Sequence, residues 1–165
     1  MRSWKDYNIK LPQGRAHEQE FGKAKKPILI CQVCNIVYYK KSWHHNLNQK
    51  LKIKNKKPVL CPACQMIKNK QFEGRLTIKN TPPKFTKEII NLIQAYSQRA
   101  FERDPLDRLI KIKKENNQIV ATFSENQLAV KTAKKIRDVF EKVKLEIKYV
   151  SPPSDVAEVE VNFNK

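Results

Sequence analysis

The sequence predicts an α+β protein in which a small metal-held module precedes a small α/β domain. Three observations support this prediction: two C-x-x-C pairs, a lysine-rich segment between them, and alternating strand and helix patterns from residue 75 onward. The chain has 165 residues, enough for one such module and one such domain.

All four cysteines lie in two C-x-x-C pairs, Cys31 with Cys34 and Cys61 with Cys64. Each pair follows a short apolar run, as expected if each turn ends a strand. Two such turns facing each other place four thiolates in a tetrahedron, the ligand set of one structural Zn²⁺. A disulfide framework needs an oxidising compartment, and a redox C-x-x-C motif does not explain the matched second pair. The spacing therefore predicts a zinc ribbon with no open coordination position.

The 26 residues between Cys34 and Cys61 exceed the roughly 15–20 of a short ribbon, so residues 40–57 are predicted to form an insert. Apolar residues recur every fourth position in it, at residues 43, 47 and 51, which permits a short helix. His44 and His45 are alternative metal ligands, but four cysteines already satisfy the metal.

The formal net charge is +18, and residues 28–80 carry eleven basic residues against Glu73 alone. This charge favours a polyanion, and nucleic acid is the default partner. No apolar run approaches the roughly 18 residues that span a membrane, so no membrane partner is predicted. A solvated lysine face, and aromatic rings packed on the ribbon, are the alternatives to nucleic-acid contact. The predicted contacts are Tyr38, Tyr39, Lys40, Lys41, Trp43, Lys50, Lys52, Lys54, Lys56 and Lys57.

The chain is predicted to divide into three parts. Residues 1–27 show no sustained period and are interpreted as a flexible basic arm, although packing of one aromatic ring on the domain is an alternative. The ribbon covers residues 28–80, and the α/β domain covers residues 81–165, with its first strand over residues 75–79. Reduced cysteines and the lack of a recognisable targeting segment predict a cytoplasmic protein.

The first half of the α/β domain contains one helix between two strands. A proline pair at residues 82 and 83 follows the first strand. Thr86 is the predicted N-cap of a helix that ends near Asp104, because Pro105 follows it. The next strand is predicted over residues 109–113.

The second half begins with a strand over residues 119–123, joined to the preceding strand by an Asn-Asn turn. Ser124 and Gln127 match a capping box for a second helix. The remaining predicted elements are that helix over residues 128–143 and strands over residues 145–149 and 157–163. This is the ferredoxin-like βαββαβ order with an extra C-terminal strand.

The run Cys31-Gln-Val-Cys34, followed by Tyr38, Trp43 and a second C-x-x-C pair, resembles a zinc knuckle of a known family. This family comprises the archaeal and eukaryotic export adaptors of the large ribosomal subunit, named after nonsense-mediated decay factor three. The resemblance covers residues 28–150 and is closest to short, uncharacterised bacterial relatives. It implies contact with ribosomal RNA or the large subunit. The adaptors have more C-x-x-C pairs than this chain, so nuclear export is not carried over.

Two hypotheses of different classes follow. The first is an RNA-binding, ribosome-associated factor in maturation, quality control or dormancy, with rRNA and ribosomal proteins as partners. The second is a zinc-ribbon module that binds DNA or docks on a transcription or other protein complex. No nucleophile–base pair emerges from the sequence, so we predict neither an enzyme nor a small-molecule substrate.

Overall fold

The computed structural model describes residues 28–47, 56–150 and 156–163, which form two β-sheets and three α-helices. The predicted arm of residues 1–27 lies outside the described residues. The same holds for three predicted contacts, Lys50, Lys52 and Lys54.

The first sheet has four short strands in the order β3-β2-β1-β4. They are β1 (Ile28–Cys31), β2 (Val37–Tyr39), β3 (Ser42–His44) and β4 (Lys56–Val59), followed by helix α1 (Pro62–Lys68). β1 pairs with β2 in antiparallel and with β4 in parallel orientation. We call this unit, over described residues 28–47 and 56–72, the ribbon.

In the described part of the insert, residues 42–44 form strand β3 and helical backbone begins at Leu47. The rest of the helix that the sequence permits lies outside the described residues. β2 and β3 make a hairpin in which Tyr38 lies opposite Trp43. Its two-residue turn has Lys40 at φ 47° and Lys41 at φ 69°, the doubly left-handed turn that matches the twist of paired strands. Pairing with β2 therefore places Trp43, the first residue of the four-residue apolar spacing, in a strand, whereas Leu51, the last, lies outside the described residues.

The second sheet confirms the predicted α+β fold class. Its five strands have the order β6-β7-β5-β9-β8. The elements along the chain are β5 (Gly74–Lys79), α2 (Thr86–Arg103), β6 (Leu109–Glu115), β7 (Gln118–Phe123), α3 (Asn126–Val139), β8 (Val143–Tyr149) and β9 (Ala157–Phe163). The extra C-terminal strand β9 is inserted between β5 and β8, parallel to β5. We call residues 74–150 and 156–163 the α/β domain.

The core of the α/β domain lies between the second sheet and its two helices. Alternate residues of β5 and β9 point into it, including the fully buried Leu76, Ile78 and Val161. Helix α3 crosses β5 so closely that a Cβ atom on Gly74 would lie 2.6 Å from the Cβ of Ala129.

Both predicted helix starts are wrong in detail. Thr86 is the first residue of α2 rather than its cap, because a 3₁₀ turn ending at Phe85 leads into the helix without a side-chain cap. The carboxylate of Glu125, not the hydroxyl of Ser124, accepts a hydrogen bond from the backbone N–H of Leu128 at the start of α3. The Ser124 hydroxyl donates instead to the carbonyl of Leu106, at 2.6 Å.

Helix α3 also ends earlier than predicted. Phe140 is its C-cap, with an extended backbone, and its side chain is buried in the core. The chain then enters β8 at Val143, which pairs with Phe163 of β9. Residues 140–142 are therefore a connection, and residue 143 begins a strand, where the sequence predicted the last turn of the helix.

Candidate metal centre

The first cysteine pair occupies the turn that follows β1. The N–H of Cys31 donates to the carbonyl of Ile36, and the N–H of Asn35 donates to the carbonyl of Cys31, both at 2.9 Å. Asn35 adopts a positive φ of 61°, which asparagine tolerates better than most residues. These bonds close the turn with Cys34 on the same side as Cys31.

The second pair lies at the start of α1. Cys61 is the N-cap, and its Sγ accepts a hydrogen bond from the N–H of Cys64 at 3.4 Å. Pro62 suits the first helical position because its fixed φ is helical and no N–H is needed there. The first turn of the helix thus sets the spacing between the two sulfur atoms.

The parallel pairing of β1 with β4 brings the two cysteine pairs together. Cys31 lies opposite Val59, and the N–H of Gln32 donates to the carbonyl of Val59 at 3.0 Å. Two residues later, the N–H of Cys61 donates to the Sγ of Cys31 at 3.4 Å.

All four sulfur atoms, those of Cys31, Cys34, Cys61 and Cys64, lie within 4.8 Å of one another. The Sγ atoms of Cys34 and Cys61 are 3.7 Å apart. This is close to the edge of about 3.8 Å in a tetrahedron of thiolates about 2.3 Å from a central ion. It is far longer than the roughly 2.05 Å of a disulfide, and all four cysteines are free. The four predicted ligands are therefore positioned to hold one metal ion.

The cysteines are also the core of the ribbon. Cys31 and Cys61 are fully buried, and Cys64 is 5% exposed. Ile36 and Ala63 complete the buried cluster, and the partly buried residues packed around it are Cys34, Trp43, Leu60 and Leu106. The donor set consists of four soft sulfur atoms, three of them on buried residues and one on the half-buried Cys34.

Burial makes this cluster unfavourable for four negative charges without a cation. Burial raises the pKa of Cys31, but backbone N–H groups, first that of Cys61, lower it more, and the net pKa is about 6. Burial raises the pKa of Cys61 to about 11. The pKa of Cys64 is raised by burial and by the neighbouring sulfur atoms. A bound cation would supply the charge that allows these thiols to ionise.

The two histidines of the insert lie away from the sulfur cluster. His44 Nε2 is 3.0 Å from the carbonyl oxygen of Tyr39. His45 Nε2 donates to the carbonyl of Phe101 in α2 at 2.6 Å, and the two rings meet edge to face at 4.6 Å. That carbonyl cannot receive a helical hydrogen bond from four residues on, where Pro105 lacks an N–H. His45 and Leu106 thus join the ribbon to the α/β domain, a contact that sequence reasoning missed because neither residue lies in a recognisable motif.

Among the described residues, the predicted nucleic-acid contacts are lysines, most of them exposed, and aromatic residues, all of them half-buried. Lys40, Lys41 and Lys57 are exposed, whereas Lys56 is half-buried. The rings of Tyr38 and Trp43 lie 5.4 Å apart, and Trp43 packs partly on the cysteine core, the alternative to base stacking that the sequence left open. Tyr39 is half-buried, and the Nζ of Lys40 lies 5.5 Å from the centre of its ring.

Neither a scan against protein-family models nor a search of the curated proteins finds a match for this chain. The function is therefore inferred from the site itself. Among the helices of the described residues, none combines the length and the apolar character needed to cross a membrane.

Proposed function

We propose that this protein is a zinc-binding, RNA-binding factor that contacts the large ribosomal subunit or its rRNA. One observation carries the proposal: the ribbon held by the four cysteines is basic throughout its described part. Residues 28–47 and 56–72 contain no carboxylate side chain and six lysines, namely Lys40, Lys41, Lys56, Lys57, Lys68 and Lys70.

Zinc is the metal that the donor set supports best. Four thiolates at tetrahedral spacing suit Zn²⁺, whose structural sites are four-coordinate. Four protein ligands fill that coordination sphere, so the proposed role of the metal is to hold the ribbon rather than to activate water. No catalytic activity is proposed.

The charge on the two sheets differs in how it is compensated. On the outer face of the α/β domain, Lys79 pairs with Glu160 at 2.6 Å and Lys144 with Glu146 at 3.0 Å. Among the described residues, no ion pair involves a lysine of the ribbon. Phosphate groups therefore meet less competition from protein carboxylates at the ribbon, which supports it as the surface for a polyanion.

Lys40 and Lys41 form the turn of the β2–β3 hairpin on this surface. Both residues are exposed, and the paired strands β2 and β3 fix their backbone. Tyr39, next to them, offers a half-buried ring to an unpaired base. The resemblance of the cysteine and core segments to ribosome export adaptors supports rRNA over other polyanions.

The test is sedimentation of the tagged protein with separated ribosomal subunits, followed by a salt titration of its binding to rRNA. The variant to compare is Lys40→Asn with Lys41→Gly, because Asn-Gly is favourable in this turn and removes two charges without straining the backbone. Lys134→Gln with Lys135→Gln, on the exposed face of α3, is the control for net charge.

Wild type and control are expected to co-migrate with the large subunit, and the turn variant to bind less. The log–log salt slope of rRNA binding should fall in magnitude by about 1–2 in the turn variant. Binding that hardly responds to salt, or equal losses in the two variants, would overturn the lysine surface. Recovery only with nucleoid or free protein fractions would favour the DNA-binding or protein-docking alternative.

A further inference from the structure

A cavity of about 350 Å³ lies between α2 and the start of β6, away from the sulfur cluster. It is lined by Gln94, Ser97, Gln98, Phe101, Arg108 and Leu109. The lining has one permanent positive charge, one hydroxyl and two amides, and it has no carboxylate. Such a donor-rich set suits a ligand with acceptor oxygens.

The guanidinium of Arg108 is held in place at this cavity. Its central carbon lies 4.5 Å from the centre of the Phe101 ring, and its Nε donates to the carbonyl of Pro105 at 3.1 Å. The backbone N–H of Arg108 donates to the hydroxyl of Ser124 at 2.8 Å. Stacking occupies the face of a guanidinium and leaves its edge available for hydrogen bonds in its plane.

Two residues of the cavity lining each have a buried polar atom with no hydrogen-bond partner within residues 28–47, 56–150 and 156–163. These atoms are the Nη2 of Arg108 and the Oγ of Ser97. Ser97 as a whole is only 3% exposed. A third such atom, the Oγ1 of Thr81, does not line this cavity. An unsatisfied buried polar group destabilises the folded protein, and a charged one does so more strongly. Both atoms belong to residues that line one cavity, which favours an acceptor bound beside them.

We propose that this cavity binds a phosphate group, with Arg108 supplying charge and Ser97 a hydroxyl donor. The two donors come from different elements, the loop before β6 and helix α2. The spread oxygens of a tetrahedral phosphate can accept from both, and guanidinium–phosphate pairing is among the strongest hydrogen-bonded contacts in proteins. The phosphate belongs either to an RNA chain or to a phosphorylated small molecule. This site goes beyond the proposed function, because none of the ribbon lysines lines it.

The test uses the full-length, metal-loaded protein titrated with inorganic phosphate at constant ionic strength, followed by ¹H–¹⁵N NMR. Saturable shifts are expected at the Arg108 Nε–H and at the backbone amides of residues 97 and 108. Arg108→Gln should weaken phosphate binding about tenfold or more, because a charged donor is lost. Ser97→Ala should weaken it several-fold, and this variant removes a buried unpaired hydroxyl from a helix, so it is expected to stay folded.

Arg103→Gln is the control, because it removes one charge from an exposed position of α2, the helix that also contains Ser97. The proposal is overturned if phosphate produces no saturable shift at these positions, or if Ser97→Ala binds as tightly as the control. A second titration with a short RNA lacking a terminal phosphate then separates the sources. Shifts at residues 97 and 108 assign the site to the RNA backbone, and shifts confined to the ribbon assign it to a phosphorylated small molecule. If RNA shifts no NMR signal of the ribbon, the proposed function is contradicted, but the phosphate site is not.

Discussion

The two folded regions of this molecule are stabilised in different ways. The buried cluster of the α/β domain contains seventeen residues, including large side chains such as Phe123, Ile89 and Ile136. The buried cluster of the ribbon contains five residues, of which three are cysteines. Burial of apolar area can stabilise the first region, but the second has too little of it. We therefore expect the ribbon to depend on a bound metal ion and the α/β domain to fold without one.

The two regions also differ in whether carboxylates lie beside their lysines. In the α/β domain, carboxylates of β8 and β9 compensate lysines on the outer face of the sheet. The described part of the ribbon has lysines alone. The region that we expect to depend on the metal is thus also the region whose described part has no carboxylate, so loss of the metal should remove the proposed RNA-binding surface as well.

The largest expected effect is that of Cys61→Ser. Cys61 is a candidate ligand and also caps α1, so its replacement should abolish stoichiometric metal binding. Structural zinc sites contribute apparent free energies of about 10–16 kcal/mol, more than a five-residue core can replace. Native mass spectrometry should find one metal ion per wild-type chain and none in the variant. One ion retained by the variant would refute the four-cysteine assignment.

The next effect is release of the metal on acidification. In the metal-free protein both thiols are protonated at pH 7: in a folded ribbon burial raises the pKa of Cys61 to about 11 and also raises the pKa of Cys64, and in an unfolded chain a cysteine has a pKa of about 8.5. Binding therefore releases at least two protons. Apparent metal affinity should then fall at least about a hundredfold per pH unit as the pH is lowered. Competition with a chromophoric chelator at several pH values measures this slope. A slope below two protons would contradict the raised pKa values.

The smallest effect lies in the α/β domain. Gly74→Ala places a methyl group 2.6 Å from the Cβ of Ala129, and overpacking of this kind costs about 1–3 kcal/mol. Urea denaturation should show this loss in the α/β domain, with the metal content unchanged. Thr77→Ala, on the outer face of the same strand, is the control and should cost less. Equal losses in the two variants would show that the contact between β5 and α3 is not tight.

Sequence patterns predicted the fold class and identified the four cysteines as candidate metal ligands, because both features depend on local signals. Alternating burial marks β5 and β9, and the C-x-x-C spacing is set by single turns. The place of β9 between β5 and β8 depends on long-range pairing, which periodicity does not encode. The hairpin at Lys40 and Lys41 was missed because lysine is not a usual residue for a turn with positive φ.

The N-cap of α3 was missed for a different reason. Ser124 is of a type preferred at N-caps, whereas the adjacent Glu125 is not. The Ser124 hydroxyl is bonded to the loop before β6, so the carboxylate of Glu125 takes the cap. The junction through His45 and the cavity at Arg108 likewise depend on contacts between distant segments, 56 residues apart for His45 and Phe101.

The most direct test of the difference between the two regions is the ¹H–¹⁵N NMR spectrum of the full-length protein before and after chelation of its metal. The expected result is that signals of residues 28–47 and 56–72 collapse to disordered positions, while those of the α/β domain persist. Signals near Phe101 and Leu106, which contact the ribbon, should shift without collapsing. A ribbon that keeps its dispersed signals without metal, or an α/β domain that unfolds with it, would contradict the account.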